Sequence, residues 1–439
     1  MKETLPSLAY RRYVLGLLAI VYVFNFTDRQ ILAILMQPIK EDLLLSDTQL
    51  GLLSGIAFAL FYVTMGIPIA RLADRHNRVN IISISIFLWS LMTALSGFAA
   101  NFTQLLLARI GVGIGEAGCT PPAHSLLADY FTKEKRSSAL SIYSLGLPLG
   151  SVLGLMAGGW VAQLYGWRVA FFMVGLPGLV LALMVKFSVR EPQRGLADGL
   201  QEQKNQIGET PDKAASAPRM GEVLRFLWSN KMFRHITIGT SLLAFAGFAS
   251  ASWIPPFLYR SHGMGLGEIG SWLALLTLVS GVTGTLGGGF MGDRLSKRDL
   301  RWYVWLPVIV LLIGVPFSIA GLLVENKYLA LALWVLPTIS YSVYVGPVMA
   351  LIQRLAGIRI RAVTVAIFLF FTNLIGMGGG PLVIGFVSDL TQHYFGDDSL
   401  RYSLMVSAVA ITWASLHYML AARTLVADLA ESNDIHSTE

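Results

Sequence analysis

Twelve apolar runs of helix-spanning length constrain the fold of this chain more than any other feature. A run of about 20 apolar residues is typical of a helix that crosses a bilayer, where only helices and closed barrels pair every backbone polar group. Charged residues make up only 13% of the chain, against about 25% in soluble domains. We therefore predict an all-α membrane protein with twelve spans, at 13–36, 48–72, 79–100, 104–130, 137–163, 168–189, 232–259, 267–292, 302–324, 328–353, 361–388 and 400–423.

One long polar segment, from Arg190 to about Met220, separates six of these spans from the other six. It contains proline and mixed charges but little apolar surface, which is typical of a flexible linker, and a short surface helix from Gly221 could end it. The predicted domains are an N-terminal six-helix bundle, a cytoplasmic linker, a C-terminal six-helix bundle and a cytoplasmic tail, at 1–189, 190–230, 231–424 and 425–439.

The positive charges lie mainly on one side of the predicted membrane. With both termini on that side, 26 of the 33 Lys and Arg residues fall in its loops and flanks, and five fall opposite. Because Lys and Arg accumulate in cytoplasmic loops, we predict cytoplasmic termini and a location in the cell membrane, surrounded by lipid. The net charge of +7 therefore reflects topology, and nucleic acid is not an expected partner.

The two halves of the chain repeat the same loop sequences. Segments 70–78 and 289–298 follow spans 2 and 8 with matching Asp-Arg pairs 219 residues apart, and 136–139 resembles 361–364 at the start of spans 5 and 11. Duplicated six-helix halves indicate a carrier whose halves rock about a central site. An acid at such a helix end can accept hydrogen bonds from a neighbouring helix N-terminus, although a solvated loop is the alternative. The expected gating residues are Asp74, Arg75, Arg78, Arg136, Asp293, Arg294 and Arg361.

Four ionisable residues lie inside the predicted spans, where a charge costs about 3 kcal/mol at the bilayer centre. At about 1.5 Å of rise per residue, Asp28 of span 1 and Arg109 of span 4 lie at comparable depth, with Glu116 nearer the midplane. One interpretation is a structural ion pair that joins two helices. We favour a proton-coupling site in which Asp28 is the switch, biased by Arg109, with Arg29 and Glu116 in the same polar network.

Spans 7 and 10 of the second half carry hydroxyl and aromatic side chains, with no acid or base in their middles. A charged half together with an aromatic half suits an amphipathic ligand, although ordinary helix packing explains each of these residues equally well. The expected substrate contacts are Asn25, Arg29, Glu116, Trp253, Tyr341, Tyr344 and Asn373.

Several signals exclude other functions. The two GxGxxG strings, at 113–118 and 265–270, do not follow strands, so they predict no dinucleotide cofactor. The seven histidines have no metal-ligand spacing, and we expect neither a metal nor any other cofactor. A stripe of four glycines on span 5 predicts close approach of another helix, at Gly146, Gly150, Gly154 and Gly158.

The motifs in this order resemble the major facilitator superfamily. Its signature loop is matched by 70–78 and 289–298, and its span-4 motif by 109–117, although Asn77 and Val79 depart from the first loop. The order Gly-Leu-Pro in span 5 also differs from the Gly-Pro of the antiporter motif. More narrowly, Asn25 to Arg29, Glu116 and the run Gly376 to Pro381 resemble the Spinster family, which is associated with export of sphingolipids and lysolipids.

We therefore predict a monomeric secondary carrier, not an enzyme, that moves a small amphipathic, lipid-like substrate with protons. One alternative is a proton-coupled carrier of organic anions or hydrophobic drugs, because Arg29 and Arg109 fit an anionic head group equally well. A second alternative, a receptor or scaffold that transports nothing, leaves the repeated gate loops without a purpose.

Overall fold

The computed structural model describes residues 5–198 and 220–437, and all regular secondary structure in these ranges is helical. The first half comprises nine helices: α1 (Leu8–Leu43), α2 (Asp47–Ser54), α3 (Ile56–Arg75), α4 (Arg78–Ser96), α5 (Phe102–Ala117), α6 (Thr120–Tyr130), α7 (Lys133–Ser144), α8 (Gly146–Tyr165) and α9 (Trp167–Ser188). A short 3₁₀ turn, Leu196–Asp198, follows α9.

The second half begins with the predicted surface helix and continues through eight further helices. These are α10 (Met220–Ser229), α11 (Lys231–His262), α12 (Leu266–Ser296), α13 (Trp302–Leu323), α14 (Lys327–Val343), α15 (Val345–Leu355), α16 (Gly357–Asn373), α17 (Gly380–Phe395) and α18 (Ser399–Ser437). A π-helical segment, Leu374–Gly379, joins α16 to α17.

These helices confirm the predicted all-helical, twelve-span architecture. Ten helical stretches among the described residues are long and apolar enough to cross a membrane, and the last of them, 363–430, contains two predicted spans. The span predicted at 104–130 consists of α5 and α6, which meet at Gly118 and the buried Cys119. The chain is therefore a multi-pass membrane protein.

Residue contacts divide the chain into two compact units. Unit 1 contains the described residues of Met1–Leu45, Ala57–Ala214 and Gly265–Ala274. Within it, α1 packs along α8, and α4 packs against α5 and α9. The predicted glycine stripe lies on α8 and faces α1: a Cβ at Gly150 would overlap the carbonyl oxygen of Val23, and one at Gly154 would lie 2.7 Å from that of Thr27.

Unit 2 contains the described residues of Ser46–Ile56, Ala215–Met264 and Leu275–Glu439. Here α11 packs against α18 and the π-helical segment, α13 packs against α14 and α18, and α2 packs against α17. The glycines of the π-helical segment let α11 approach closely, since a Cβ at Gly376 would lie 2.5 Å from Cβ of Ala244.

The units follow the predicted halves except at two short segments. Residues 46–56, at the start of span 2, pack in unit 2, and residues 265–274, at the start of span 8, pack in unit 1. The last helix also continues to Ser437 through the predicted start of the tail at 425. Within the predicted linker, 190–198 packs on unit 1, and 199–219 lies outside the described residues.

Candidate functional site

The centre of unit 1 contains two acid–base pairs. In the first pair, Nε of Arg29 lies 2.6 Å from Oε2 of Glu116, whose side chain is fully buried. Three aromatic rings surround the guanidinium, with Cζ of Arg29 at 5.0 Å from the ring centre of Phe26, 5.1 Å from Phe58 and 4.5 Å from Tyr62. The cation is thus held both by a charged hydrogen bond and by the negative faces of the rings.

In the second pair, the charges of Asp28 and Arg109 face each other without a hydrogen bond between the two side chains. Asp28 is fully buried, and its Oδ1 accepts a hydrogen bond of 2.8 Å from the hydroxyl of Thr93. Its Oδ2 lies 3.9 Å from Nη1 of Arg109, which is 3% exposed, and neither of these two atoms has a hydrogen-bond partner among the described residues. The proximity of Asp28 and Arg109 that depth along the helices predicted is therefore confirmed.

Helix geometry explains why the adjacent residues Asp28 and Arg29 have different partners. Successive residues differ by about 100° around a helix axis, so Asp28 and Arg29 of α1 point at different neighbours. On α5, Arg109 and Glu116 are seven residues apart and therefore lie on one face, from which each meets one of the two α1 residues.

Several buried polar atoms of this cluster have no hydrogen-bond partner among the described residues. They include both amide atoms of Asn25, Oε1 of Glu116 and Nε of Arg109. An unpaired buried donor or acceptor costs about 1–3 kcal/mol, so such atoms are normally used by a neighbour, a water molecule or a ligand. The buried cluster of unit 1 therefore contains both hydrogen-bond donors and hydrogen-bond acceptors that have no partner among the described residues.

The predicted contact residues of unit 2 differ in their surroundings. Trp253 is fully buried and its indole N–H donates to the carbonyl oxygen of Pro381, which favours a packing role over ligand contact. Tyr341 and Tyr344 lie at the break between α14 and α15, and the hydroxyl of Tyr341 is 3.4 Å from that of Ser250. Tyr344 and Asn373 are partly buried, and the side chain of neither makes a hydrogen bond among the described residues.

The predicted gating residues fall into two groups. Asp74 and Arg75 are exposed, as are Arg294 and Arg361, and Asp293 accepts a hydrogen bond of 3.0 Å from the hydroxyl of Tyr303. Arg78, in contrast, is 1% exposed and belongs to the interior of unit 1.

Arg78 joins the helices of unit 1 to the beginning of the predicted linker. Its guanidinium pairs with Asp129 and, at 2.6 Å, with Glu191, and it donates to the carbonyl oxygen of Pro192. Arg136 pairs with Asp198 at 2.8 Å in the same segment. The buried Arg78 and the partly buried Arg136 therefore both hold residues of 190–198 against the bundle.

Thr93, the aromatic residues around Arg29, and Asp129 were not predicted as functional or partner residues. A hydroxyl among apolar residues of span 3 gives no signal of its own in a sequence. The aromatic residues around Arg29 gave a weak signal in the sequence. Phe26 is three residues before Arg29, and Phe58 and Tyr62 are four residues apart on one helix face.

With the fold and these pairs established, the class of protein follows from comparison. The family model described as Major Facilitator Superfamily matches residues 18–381. An "MFS-type efflux pump" of Mycolicibacterium smegmatis is 36% identical over 414 residues, covering 93% of this chain and 92% of the relative. The chain belongs to the Major Facilitator Superfamily, which is a family of transporters and not of enzymes.

Within the superfamily the chain resembles Spinster proteins. The crystal structure of a bacterial homologue of the human lysosomal transporter Spinster, inward-facing and unoccupied, superposes with a TM-score of 0.87 at 34% identity, covering 96% of this chain and 99% of that one. The sphingosine-1-phosphate transporter SPNS2 of Xenopus tropicalis is 29% identical over 437 residues, covering 94% of this chain and 82% of the relative.

Proposed function

We propose that the protein is a proton-coupled secondary carrier of an amphipathic, lipid-like substrate of the sphingolipid or lysolipid class. It acts as a monomer by alternating access in the cell membrane, with both termini cytoplasmic and Asp28 as the protonation switch. The observation that carries this proposal is the contrast between the two buried pairs: Arg29 is hydrogen-bonded to Glu116 at 2.6 Å, whereas Asp28 faces Arg109 at 3.9 Å.

This contrast assigns different roles to the two pairs. Arg29 keeps its charge compensated by Glu116 and by three aromatic rings, so its pair is the stable part of the network. A proton on Asp28 removes the negative charge that faces Arg109, and in a low-dielectric interior this changes the electrostatic energy of Arg109 by several kcal/mol, about 4 at an effective dielectric constant of 20. Arg109 then attracts another anion, and in this way protonation and substrate binding become coupled.

The chemistry of the unpaired atoms supports an anionic or zwitterionic head group. Arg109 offers Nε and Nη1, and Asn25 offers an amide that both donates and accepts. In unit 2, Tyr341, Tyr344 and Asn373 provide aromatic surface and polar tips suited to the remainder of an amphipathic molecule. The similarity to a sphingosine-1-phosphate transporter supports the same class of substrate.

The test is flux into proteoliposomes, with and without an imposed pH gradient. A panel of a lysolipid, a sphingolipid, a hydrophobic drug and a small organic anion is compared for the native chain and the Asp28→Asn variant. We expect lipid flux to depend on the pH gradient in the native protein and to lose that dependence in Asp28→Asn. Asp42→Asn is the matched control, because Asp42 pairs with Arg168 at an exposed helix end, and it should behave like the native protein.

Full pH dependence in Asp28→Asn would exclude that residue as the switch. Transport of small organic anions or drugs without lipids would instead support the second candidate, a proton-coupled carrier of those compounds, which the similarity to an efflux pump favours. Absence of flux for every compound would support a receptor or scaffold.

A further inference from the structure

The beginning of α2 is capped by a side chain from a distant part of the sequence. Asp389 of α17 accepts hydrogen bonds from the backbone N–H of Asp47 at 3.0 Å and of Thr48 at 2.7 Å, and from the hydroxyl of Thr48. The next free amide, that of Gln49, donates to the side chain of Ser46. The amide of Ser46 donates in turn to the side chain of Gln49, so all four amides that a helix leaves free at its start are satisfied. Two of them are satisfied by one carboxylate, which also complements the helix dipole.

A second charged contact holds the same residues in unit 2. The carboxylate of Asp47 receives two hydrogen bonds from Arg260, at 2.7 and 2.8 Å, and a third from the buried hydroxyl of Ser388. A bidentate arginine–carboxylate pair is among the stronger polar contacts in proteins. The start of α2 is therefore held by two separate ionic interactions.

Glycine allows the helices to approach closely enough for these contacts. A Cβ at Gly51 of α2 would lie 2.5 Å from the carbonyl oxygen of Pro381, and one at Gly385 of α17 would overlap that of Asp47. The hydrogen bonds from α2 to Asp389 thus require the backbones of α2 and α17 to approach more closely than residues larger than glycine would allow.

Unit 1 contains a matching contact without charges. The side-chain oxygen of Gln163 on α8 accepts a hydrogen bond of 2.8 Å from the N–H of Gly267, in the first turn of α12. A Cβ at Gly159 would overlap the carbonyl oxygen of Leu266, and one at Gly270 would overlap that of Leu155.

The two contacts occupy equivalent positions in the repeat. The first residues of α2 and α12, Asp47 and Leu266, are 219 residues apart, the same spacing as the two gate-loop acids. Their capping residues, Asp389 and Gln163, are 226 apart, as are the crossing glycines Gly385 and Gly159. One repeat therefore caps this helix start with a carboxylate, whereas the other caps it with a neutral amide side chain.

We propose that Asp389 is a positioning residue of the transport cycle. Together with the Asp47–Arg260 pair, it retains residues 46–56 in unit 2, and it limits the rate of the step in which these residues leave that unit. Since α1 has the length and hydropathy of a membrane span, we infer that this segment of α2 lies at the membrane face opposite the N-terminus. The inference rests on membership of a transporter superfamily and not on a particular substrate or on proton coupling.

Amide hydrogen exchange of the full-length protein in lipid nanodiscs tests this without a substrate. In Asp389→Asn, which keeps the size but removes the charge, we expect exchange in peptides covering 46–56 to become about tenfold faster. Arg260→Gln should have the same effect in the same peptides. In the matched variant Gln163→Leu, the change should be confined to 265–274, and Asp389→Glu should restore part of the protection at 46–56.

Two outcomes would overturn the inference. Unchanged exchange at 46–56 in both Asp389→Asn and Arg260→Gln would mean that the charged contacts do not retain the segment. Faster exchange spread over the core of unit 2, for example in 410–425, would mean that Asp389 supports the fold and has no specific role in the cycle. The substrate panel described above reports separately on the proposed function.

Discussion

Asp28 and Arg29 are adjacent in the sequence, yet each depends on a different helix neighbour. Arg29 is paired with Glu116 and enclosed by aromatic rings, and Asp28 receives the hydroxyl of Thr93 and faces Arg109. The two charges therefore do not neutralise each other. This separation leaves one carboxylate oxygen of Asp28 without a hydrogen-bond partner among the described residues, where the proposed switch would take up a proton.

The Arg29–Glu116 pair should be much more sensitive to loss of one partner than to loss of both. Glu116→Gln leaves a buried cation without its counter-charge, and we expect it to destabilise the protein by about 3 kcal/mol. This value is at the lower end of the range for broken buried ion pairs, because 17% of the Arg29 side chain is exposed. The double variant Arg29→Gln with Glu116→Gln should lose less. Thermal unfolding in detergent measures both losses. Equal losses in the single and double variants would contradict this reading.

At the level of elements, several predicted spans are interrupted. Span 4 breaks between α5 and α6, span 10 between α14 and α15, span 5 between α7 and α8, and span 11 at the π-helical segment. Spans 4 and 10 are equivalent in the repeat, as are 5 and 11, so the interruptions recur in both halves. Glycine at several of these breaks, and the π-helical turns, give the helices places to bend, and such turns are frequent at functional sites.

The contact between α1 and α8 gives a prediction about one element pair. A Cβ at Gly154 would lie 2.7 Å from the carbonyl oxygen of Thr27, so Gly154→Ala should force the helices apart and cost about 1–3 kcal/mol. Gly16→Ala on α1 is the matched control: nothing lies within 4 Å of its Cβ, and alanine there should be neutral or stabilising by up to about 1 kcal/mol. The unfolding temperatures of the two variants test this, and similar losses for both would contradict it.

At the scale of the whole molecule, the two repeated halves differ in the side chains that they contribute. Unit 1 contains the buried pairs of Asp28 and Arg29, whereas the predicted contact residues of unit 2 are aromatic or neutral. We expect proton coupling to depend on unit 1, and we expect the contact residues of unit 2 to affect substrate binding alone.

This division predicts different kinetic effects for variants in the two units. Tyr344→Phe removes one neutral hydroxyl from unit 2, so the apparent KM should rise severalfold, corresponding to about 1 kcal/mol, while the dependence of flux on pH remains. Initial flux as a function of substrate concentration at two pH values measures both effects. A loss of pH dependence in Tyr344→Phe would contradict the division.

The sequence alone was sufficient to predict the twelve helices, the repeat and the four buried ionisable residues. In a bilayer every backbone polar group must be paired within the segment, so hydrophobic length predicts where helical spans lie, although not where they are interrupted. Depth along a helix follows from residue number, and for this reason the proximity of Asp28 to Arg109 could be predicted.

Only the tertiary structure decided which side chains meet. The hydrogen bond from Thr93, the aromatic rings around Arg29, the inward turn of Arg78 and the cap that Asp389 places on α2 depend on how each helix is rotated and tilted against the others. That rotation results from packing between residues far apart in the sequence, such as the glycines of α8 and α17 against backbone carbonyls. Residue spacing within a single helix predicts which side chains share a face, but not which neighbour that face meets.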